Sequence, residues 1–231
     1  ISLRVVMQLF LERRELEVPD YIVPNSQFIM QQLTHYYPQF AHKLTIPVVP
    51  GAVAAQLRGD RSVPEDGGVV GFVGKEWQRK GLSLAVEIVA RLRQTRPGLQ
   101  LWVAGPAASE IQSLFDGWQG GYRLLGWSEQ APYADFDVLL HPAKAEPYGM
   151  VISEAMAAKV PVVISDVCGA AAQVAPEAGA VLPLFASHEE WVSAVEAQLR
   201  RSDARPQFVR GWAEVAREYE VIYRNCRQAA K

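Results

Sequence analysis

Two short stretches concentrate the residue types that handle anions and hydroxyl groups. The first is Gly71-Phe72-Val73-Gly74, followed a few residues later by Arg79-Lys80-Gly81. Glycines there let backbone approach a ligand closely, and a helix opening near Gly81 offers free amides and a partial positive charge. Arg79 and Lys80 add two full charges at the same end. A diphosphate calls for both features, because its negative charge grows as a bond to it breaks. The spacing is neither that of a Walker loop nor that of the dinucleotide fingerprint. A glycine turn flanked by solvated basic residues is the alternative reading.

The second stretch is Glu146-Pro147-Tyr148-Gly149-Met150-Val151-Ile152-Ser153-Glu154-Ala155, two glutamates separated by seven residues with a Pro-x-Gly turn between them. Glu146 is expected in a loop beyond a strand, and Glu154 in the second turn of a helix starting near Gly149. Both carboxylates would then face one cleft, where a carboxylate suits paired hydroxyls of a sugar ring or a ribose. Amides at Gly149 to Val151 would point at an anion above the helix start. The alternative is a capping carboxylate at Glu146 and a surface Glu154.

Other chemistry-bearing residues read more plainly. Asp135-Phe136-Asp137 imitates a metal-binding pair but precedes the strand at the end away from the expected cleft, so no metal is expected there. His141 at a strand end is read as a satisfied structural histidine rather than a base. Cys168 is read as a small buried residue. Trp212, Tyr219 and Tyr223, at helical spacing, are read as packing residues of a final helix.

An alternation of apolar runs and helical periods must position these residues. Val69 to Val73, Leu99 to Ala104, Tyr122 to Leu125, Phe136 to Leu140 and Val160 to Ile164 read as strands. Helices are expected over Leu82 to Leu92, around Ile111 to Phe115 and over Val151 to Ala158. Such alternation predicts an α/β domain, a Rossmann-like parallel sheet with helices on both faces, whose ligands bind beyond the carboxyl ends of the strands. Before it lie a helix over Leu3 to Leu16, a strand at Tyr21 to Val23, a helix after Asn25 or Ser26 and a strand over Leu44 to Val49. Helices near Glu189 to Leu199 and Phe208 to Arg227 close the chain. The expected domains are 1–50, a linker at 51–68, a ligand-binding domain at 69–205 and a returning helix at 206–231.

The bulk composition excludes several classes. Of 231 residues, 49% are hydrophobic and 21% charged, with a net charge of −2. That balance suits a globular protein and provides no electrostatic footprint for nucleic acid. Cys168 and Cys226 are too few for a disulfide framework, which favours a reducing, cytoplasmic setting. No apolar run reaches the roughly 18 residues of a membrane span. The first residue is Ile1 rather than methionine, and a processed or shortened chain is expected.

With these motifs in view, the chain resembles the C-terminal donor domain of the GT-B retaining glycosyltransferases of family four. The resemblance is carried by Gly71-Phe72-Val73-Gly74 with Arg79-Lys80-Gly81, Ala134-Asp135 ahead of His141-Pro142, Glu146-x7-Glu154, Val160 to Ile164 after Ala157-Ala158-Lys159, and Trp212-Ala213-Glu214-Val215 with Tyr219 and Tyr223. Asp20 to Ser26 and Ile46 to Gly51 look like the close of the acceptor domain and the crossover. His141-Pro142 through Val167-Cys168-Gly169 is similar to the lipopolysaccharide core glucosyltransferases, although Pro147-Tyr148 follows the broader family pattern.

The resemblance implies transfer of a sugar from a UDP-sugar to an acceptor hydroxyl, with retention, in lipopolysaccharide or other surface polysaccharide synthesis. It assigns Arg79 and Lys80 to the diphosphate, Glu146 to the sugar hydroxyls and Glu154 to the ribose. Trp127 and Ser128 would lie near the base, with Trp127 either stacked on it or packed. Gly74, Tyr148, Gly149, Met150 and Val151 complete the donor contacts. It implies no metal and no cofactor beyond the nucleotide-sugar, and a glycolipid or saccharide acceptor bound by a missing N-terminal half. It also implies peripheral contact with the inner membrane, and little activity for this chain alone. An epimerase, a phosphorylase or a binding-only module on the same fold is the alternative.

Overall fold

The computed structural model describes residues 3–60, 62–201, 206, 208 and 210–229, and it divides into two compact units. The first comprises Ile1–Gly51 with Arg210–Lys231, the second Ala52–Val209. In the first unit, α1 (Leu3–Glu17) is followed by α2 (Gln27–Tyr36), which opens where the Ser26 hydroxyl accepts the Ile29 amide at 3.2 Å. That contact satisfies one of the donors a helix start leaves free. The two strands expected here shrink to a single parallel bridge, Ile22 to Leu44. Pro24 and Pro47 explain the loss, because neither can donate to a ladder.

The second unit carries the sheet: β1 (Gly67–Val73), α3 (Leu82–Leu92), β2 (Gly98–Ala104), α4 (Ala108–Ile111), β3 (Tyr122–Gly126), β4 (Val138–His141), α5 (Met150–Ala157), β5 (Val162–Ser165), β6 (Gly179–Leu182) and α6 (His188–Arg200). All pairings are parallel, in the order β3-β2-β1-β4-β5-β6. Val70, Phe72, Leu99, Leu101, Val103, Val138 and Leu140 are fully buried, the mark of strands covered on both faces. α3 buries Leu82, Ala85, Val86, Ile88, Val89 and Leu92, and α6 buries Trp191, Val195 and Leu199. Strand β6 escapes sequence reading because Gly-Ala-Val-Leu is too short and mixed to announce itself. It exists by pairing with β5.

The order reverses direction between β1 and β4, so the loops after these two strands lead away from each other into opposite layers and leave a crevice. Gly81 sits there with φ +80, and a Cβ on it would lie 2.0 Å from the Pro142 carbonyl oxygen. Gly81→Ala therefore meets both a left-handed backbone and a fixed main-chain neighbour. We expect a loss of at least about 2 kcal/mol, read by urea unfolding at matched m-values.

In the first unit the last helix, α7 (Trp212–Ala229), begins four residues later than Phe208. Tyr219 packs near Val48, Val215 and Ile222, as read from sequence. Trp212 and Tyr223 do not: they are 53% and 63% exposed. Helical spacing marks a face, but among the described residues of this unit the edges of that face stay exposed. Arg210 holds the entry to α7, donating to Glu218 at 2.8 and 2.6 Å and to the Val49 carbonyl at 2.8 Å. The domain boundary expected between 205 and 206 involves Arg205, which lies outside the described residues.

Of the stretch 51–68 expected as a linker, Gly67 and Gly68 belong to β1, and the described residues among 51–66 have neither helix nor strand. Their Arg58 is nevertheless fully buried, with Nη2 2.7 Å from Asp137 Oδ1 and Nε donating to the Phe136 carbonyl at 3.1 Å. Asp137 also accepts the Val69 amide at 2.8 Å. The second aspartate of the Asp135-Phe136-Asp137 triplet thus belongs to an ion pair. Among the described residues no group of His, Cys, Asp or Glu is placed to hold a metal.

Candidate functional site

The loops after β1 and β4 meet at the reversal. The Lys144 amide donates to the Arg79 carbonyl at 2.8 Å, joining the two loops by main chain. Lys80 Nζ lies 3.1 Å from Glu146 Oε2 and Arg79 Nη1 3.6 Å from the same oxygen. Arg79 is further held by Glu76 and by the Ala145 carbonyl. Lys80 is the more enclosed cation, its side chain 14% exposed against 36% for Arg79. It can lie flat because Gly74, with φ +151, has no Cβ: one there would sit 2.3 Å from Lys80 Cδ. Gly74, Arg79, Lys80 and Glu146 are therefore brought together as expected.

Glu146 is fixed at its backbone as well. Its amide donates to the Val167 carbonyl at 3.3 Å, its carbonyl accepts the Gly169 amide at 2.9 Å, and it bridges Cys168. Burial pushes its carboxyl up, but the Lys80 ammonium 3.1 Å away outweighs burial and holds it well below the usual carboxylate range. The sign follows: the ionised carboxylate contributes stability above the ordinary carboxylate range and loses it as pH falls through the lowered pKa. Behind it stands His141, completely buried, with Nε2 3.6 Å from Glu146 Oε2 and, among the described residues, no hydrogen-bond partner at either ring nitrogen. This differs from the satisfied histidine expected. Burial lowers its pKa, so the ring is neutral at pH 7, and the distance is longer than a formed hydrogen bond. Cys168 is a buried thiol pushed up to about 11, chiefly by burial, which agrees with its reading as a small interior residue.

Helix α5 starts beside this cluster at Gly149, whose left-handed backbone (φ 93) precedes Met150. Amides in the first turn, at Met150 and Val151, have no place in the helix's own ladder and remain donors for an anion. Tyr148 departs from expectation. Its side chain is buried and its hydroxyl lies 2.8 Å from Ser153 Oγ, so it packs under the turn instead of lining the crevice. An aromatic between two functional positions resembles a ligand contact in one dimension; only the turn geometry reveals which way it points.

Glu154, in the second turn of the helix, has a different partner. It accepts the Tyr133 hydroxyl at 2.6 Å. Burial, followed by the Glu154 charge and this bond, raises the Tyr133 pKa far above its usual value. The two residues border a cavity of about 370 Å³ lined by Val53 to Gln56, Glu129 to Ala134 and Glu154. Tyr133 was not singled out from sequence, and its position beside Ala134-Asp135 was the available signal. Trp127 is 63% exposed, under the Lys75 ammonium at 5.3 Å, so it is not a packed residue. Ser128 is exposed and closes a local turn with Gln130 at 2.8 Å.

Residues 67–201 match the family described as glycosyl transferases group 1. Curated relatives include a D-inositol 3-phosphate glycosyltransferase of Segniliparus rotundus, 29% identical over 78% of this chain and 44% of that protein. The lipopolysaccharide glucosyltransferase WaaG of Escherichia coli is 31% identical over 64% of this chain and 40% of that protein. The chain thus spans less than half the length of these relatives. Among solved structures, sucrose-phosphate synthase from Thermosynechococcus elongatus superposes with TM-score 0.75 at 22% identity, over 96% of this chain and 62% of that one. HepE of Anabaena, solved with UDP and glucose, superposes with TM-score 0.59 at 19% identity, over 78% and 57%. At such identities the likeness concerns the fold. Among the described residues no helix is long and apolar enough to cross a membrane.

Proposed function

Because this chain belongs to the glycosyl transferases group 1, we propose that it is the donor-binding half of an enzyme moving a sugar from a UDP-sugar to an acceptor hydroxyl with retention. The observation that carries the reading is the meeting of Lys80, Arg79 and Glu146 at the sheet reversal, beside the free amides of α5. As the bond from the sugar's anomeric carbon to the diphosphate breaks, negative charge collects on the departing diphosphate. Lys80 and Arg79, with the amides of Met150 and Val151, take up that charge from fixed positions. Glu146 accepts hydrogen bonds from sugar hydroxyls at the mouth. The cavity between Tyr133 and Glu154 receives ribose and base, with the Glu154 carboxylate on the ribose hydroxyls. Trp127 and Ser128, which immediately precede the lining residue Glu129 in the chain, are the candidates for the base.

Support for the UDP-sugar comes from the bound ligands named for HepE, and support for a glycolipid acceptor from the name of WaaG. The acceptor side belongs to sequence beyond this chain in the proposal, and so does any contact with a membrane surface. The cation cluster takes the place of a metal ion.

The test is a thermal-shift screen of UDP, GDP and ADP with the chain. A ligand binding only the native state stabilises it by about 2.7 kcal/mol at a concentration one hundred times its Kd. We expect UDP to raise the Tm most. No shift with any of the three, at millimolar concentration, would remove the donor-site reading.

A further inference from the structure

We propose that Arg58 is a positioning residue for the nucleoside part of the donor, clamping together the three parts of the chain that wall the Glu154 cavity. The inference rests on the reading of that cavity as the nucleoside subsite. It adds that the segment before the sheet, which has neither helix nor strand among its described residues, is part of the subsite.

The contacts of Arg58 reach each wall. Its own segment supplies Val53, Ala54, Ala55 and Gln56 to the lining, two to five residues upstream. Its amide donates at 2.8 Å to the carbonyl of Ala158, the residue closing α5, and the Ala158 amide in turn donates to the Glu154 carbonyl at 2.9 Å. Its guanidinium donates to the Phe136 carbonyl and to Asp137, and the Phe136 amide donates at 3.0 Å to the carbonyl of Tyr133, the residue that holds the Glu154 carboxylate. Arg58 therefore registers the 53–56 wall against both others, through its buried guanidinium to the Tyr133 turn and through its main-chain amide to the end of the Glu154 helix.

An ion pair is an unusual fastening for this place. Burying both charges costs several kcal/mol of hydration, which their attraction offsets only with good geometry and further hydrogen bonds. An apolar side chain could pack there without that cost and keep the amide bond to Ala158, but it would not fix the segment's direction against the Phe136 carbonyl and the Asp137 carboxylate. The arginine's planar fork does, because each donor has one allowed direction. The contacts of Arg58 described above involve neither Lys80 nor Glu146, so its effect should fall on nucleoside recognition and spare the diphosphate.

The experiment compares Kd by calorimetry for the tightest of UDP, GDP and ADP and for inorganic diphosphate, with Tm recorded for each variant. The double variant Arg58→Met with Asp137→Asn removes both charges and keeps an acceptor for the Val69 amide. It is expected to bind the nucleotide about tenfold or more weakly, with diphosphate affinity within about twofold of wild type. Ala54→Trp, which leaves the clamp intact and fills the wall, is expected to show the same selective loss. A folded double variant with unchanged nucleotide affinity, or one losing nucleotide and diphosphate equally, overturns the inference. If the double variant does not fold, an unchanged nucleotide affinity in Ala54→Trp overturns it instead. Failure of the underlying reading is separate: wild-type protein would then bind the nucleotide no more tightly than diphosphate alone.

Discussion

Lys80→Ala in the complete enzyme is expected to lower kcat about 10²- to 10³-fold, roughly 3–4 kcal/mol of transition-state stabilisation, the range seen when one preorganised donor to a developing anion is lost. Lys80 carries this weight because it is enclosed and held 3.1 Å from Glu146 before any ligand arrives. A cation already in place need not reorganise as the diphosphate departs, and its field is less screened by water than at the surface. Arg79 has the same charge but lies more open and shares itself with Glu76 and the Ala145 carbonyl. Its alanine variant is expected to lose less. Steady-state turnover of the two variants gives the ranking. A Lys80→Ala enzyme with turnover near wild type would show that the diphosphate leaves from elsewhere.

Glu146→Gln is expected to separate binding from turnover. At neutral pH Glu146 is ionised and His141 neutral, so the carboxylate cancels part of the field that Lys80 and Arg79 present to the crevice. Removing its charge raises the local positive charge by one. Affinity for a nucleoside diphosphate should therefore hold or tighten, while kcat falls on the order of 10²-fold because the sugar loses a strong acceptor at its hydroxyls. Calorimetry with UDP alongside initial rates distinguishes this from a collapse of the site. Loss of nucleotide affinity together with rate would mean that Glu146 acts only by holding Lys80 in place. Full turnover in the glutamine variant would remove Glu146 from the chemistry altogether.

The charged half of the candidate site was legible before any coordinates, and for a definite reason. Arg79, Lys80, Glu146 and the start of α5 each lie five to nine residues beyond the end of a buried strand, and in a parallel sheet those ends share one edge. Knowing the strands was enough to bring the residues near one another. The other half was not legible. Tyr148 is two residues from Glu146 but turns inward to Ser153, because the left-handed step at Gly149 redirects the chain. Glu154 finds Tyr133 twenty-one residues back, and Arg58 finds Asp137 across seventy-nine.

The sequence alone was sufficient for the alternation of strands and helices, for the parallel sheet it implies, and for the basic and acidic loops at one edge of that sheet. Periodicity reports which face of each element avoids water, and that information is local. The tertiary structure decided that Glu146 sits against a neutral, fully buried His141, that Glu154 is gripped by a tyrosine, and that a stretch resembling a linker is clamped by a buried arginine. These are pairings between polar groups distant in the chain. Which partner each one meets depends on how crossovers stack the layers, and no pattern along the chain encodes that.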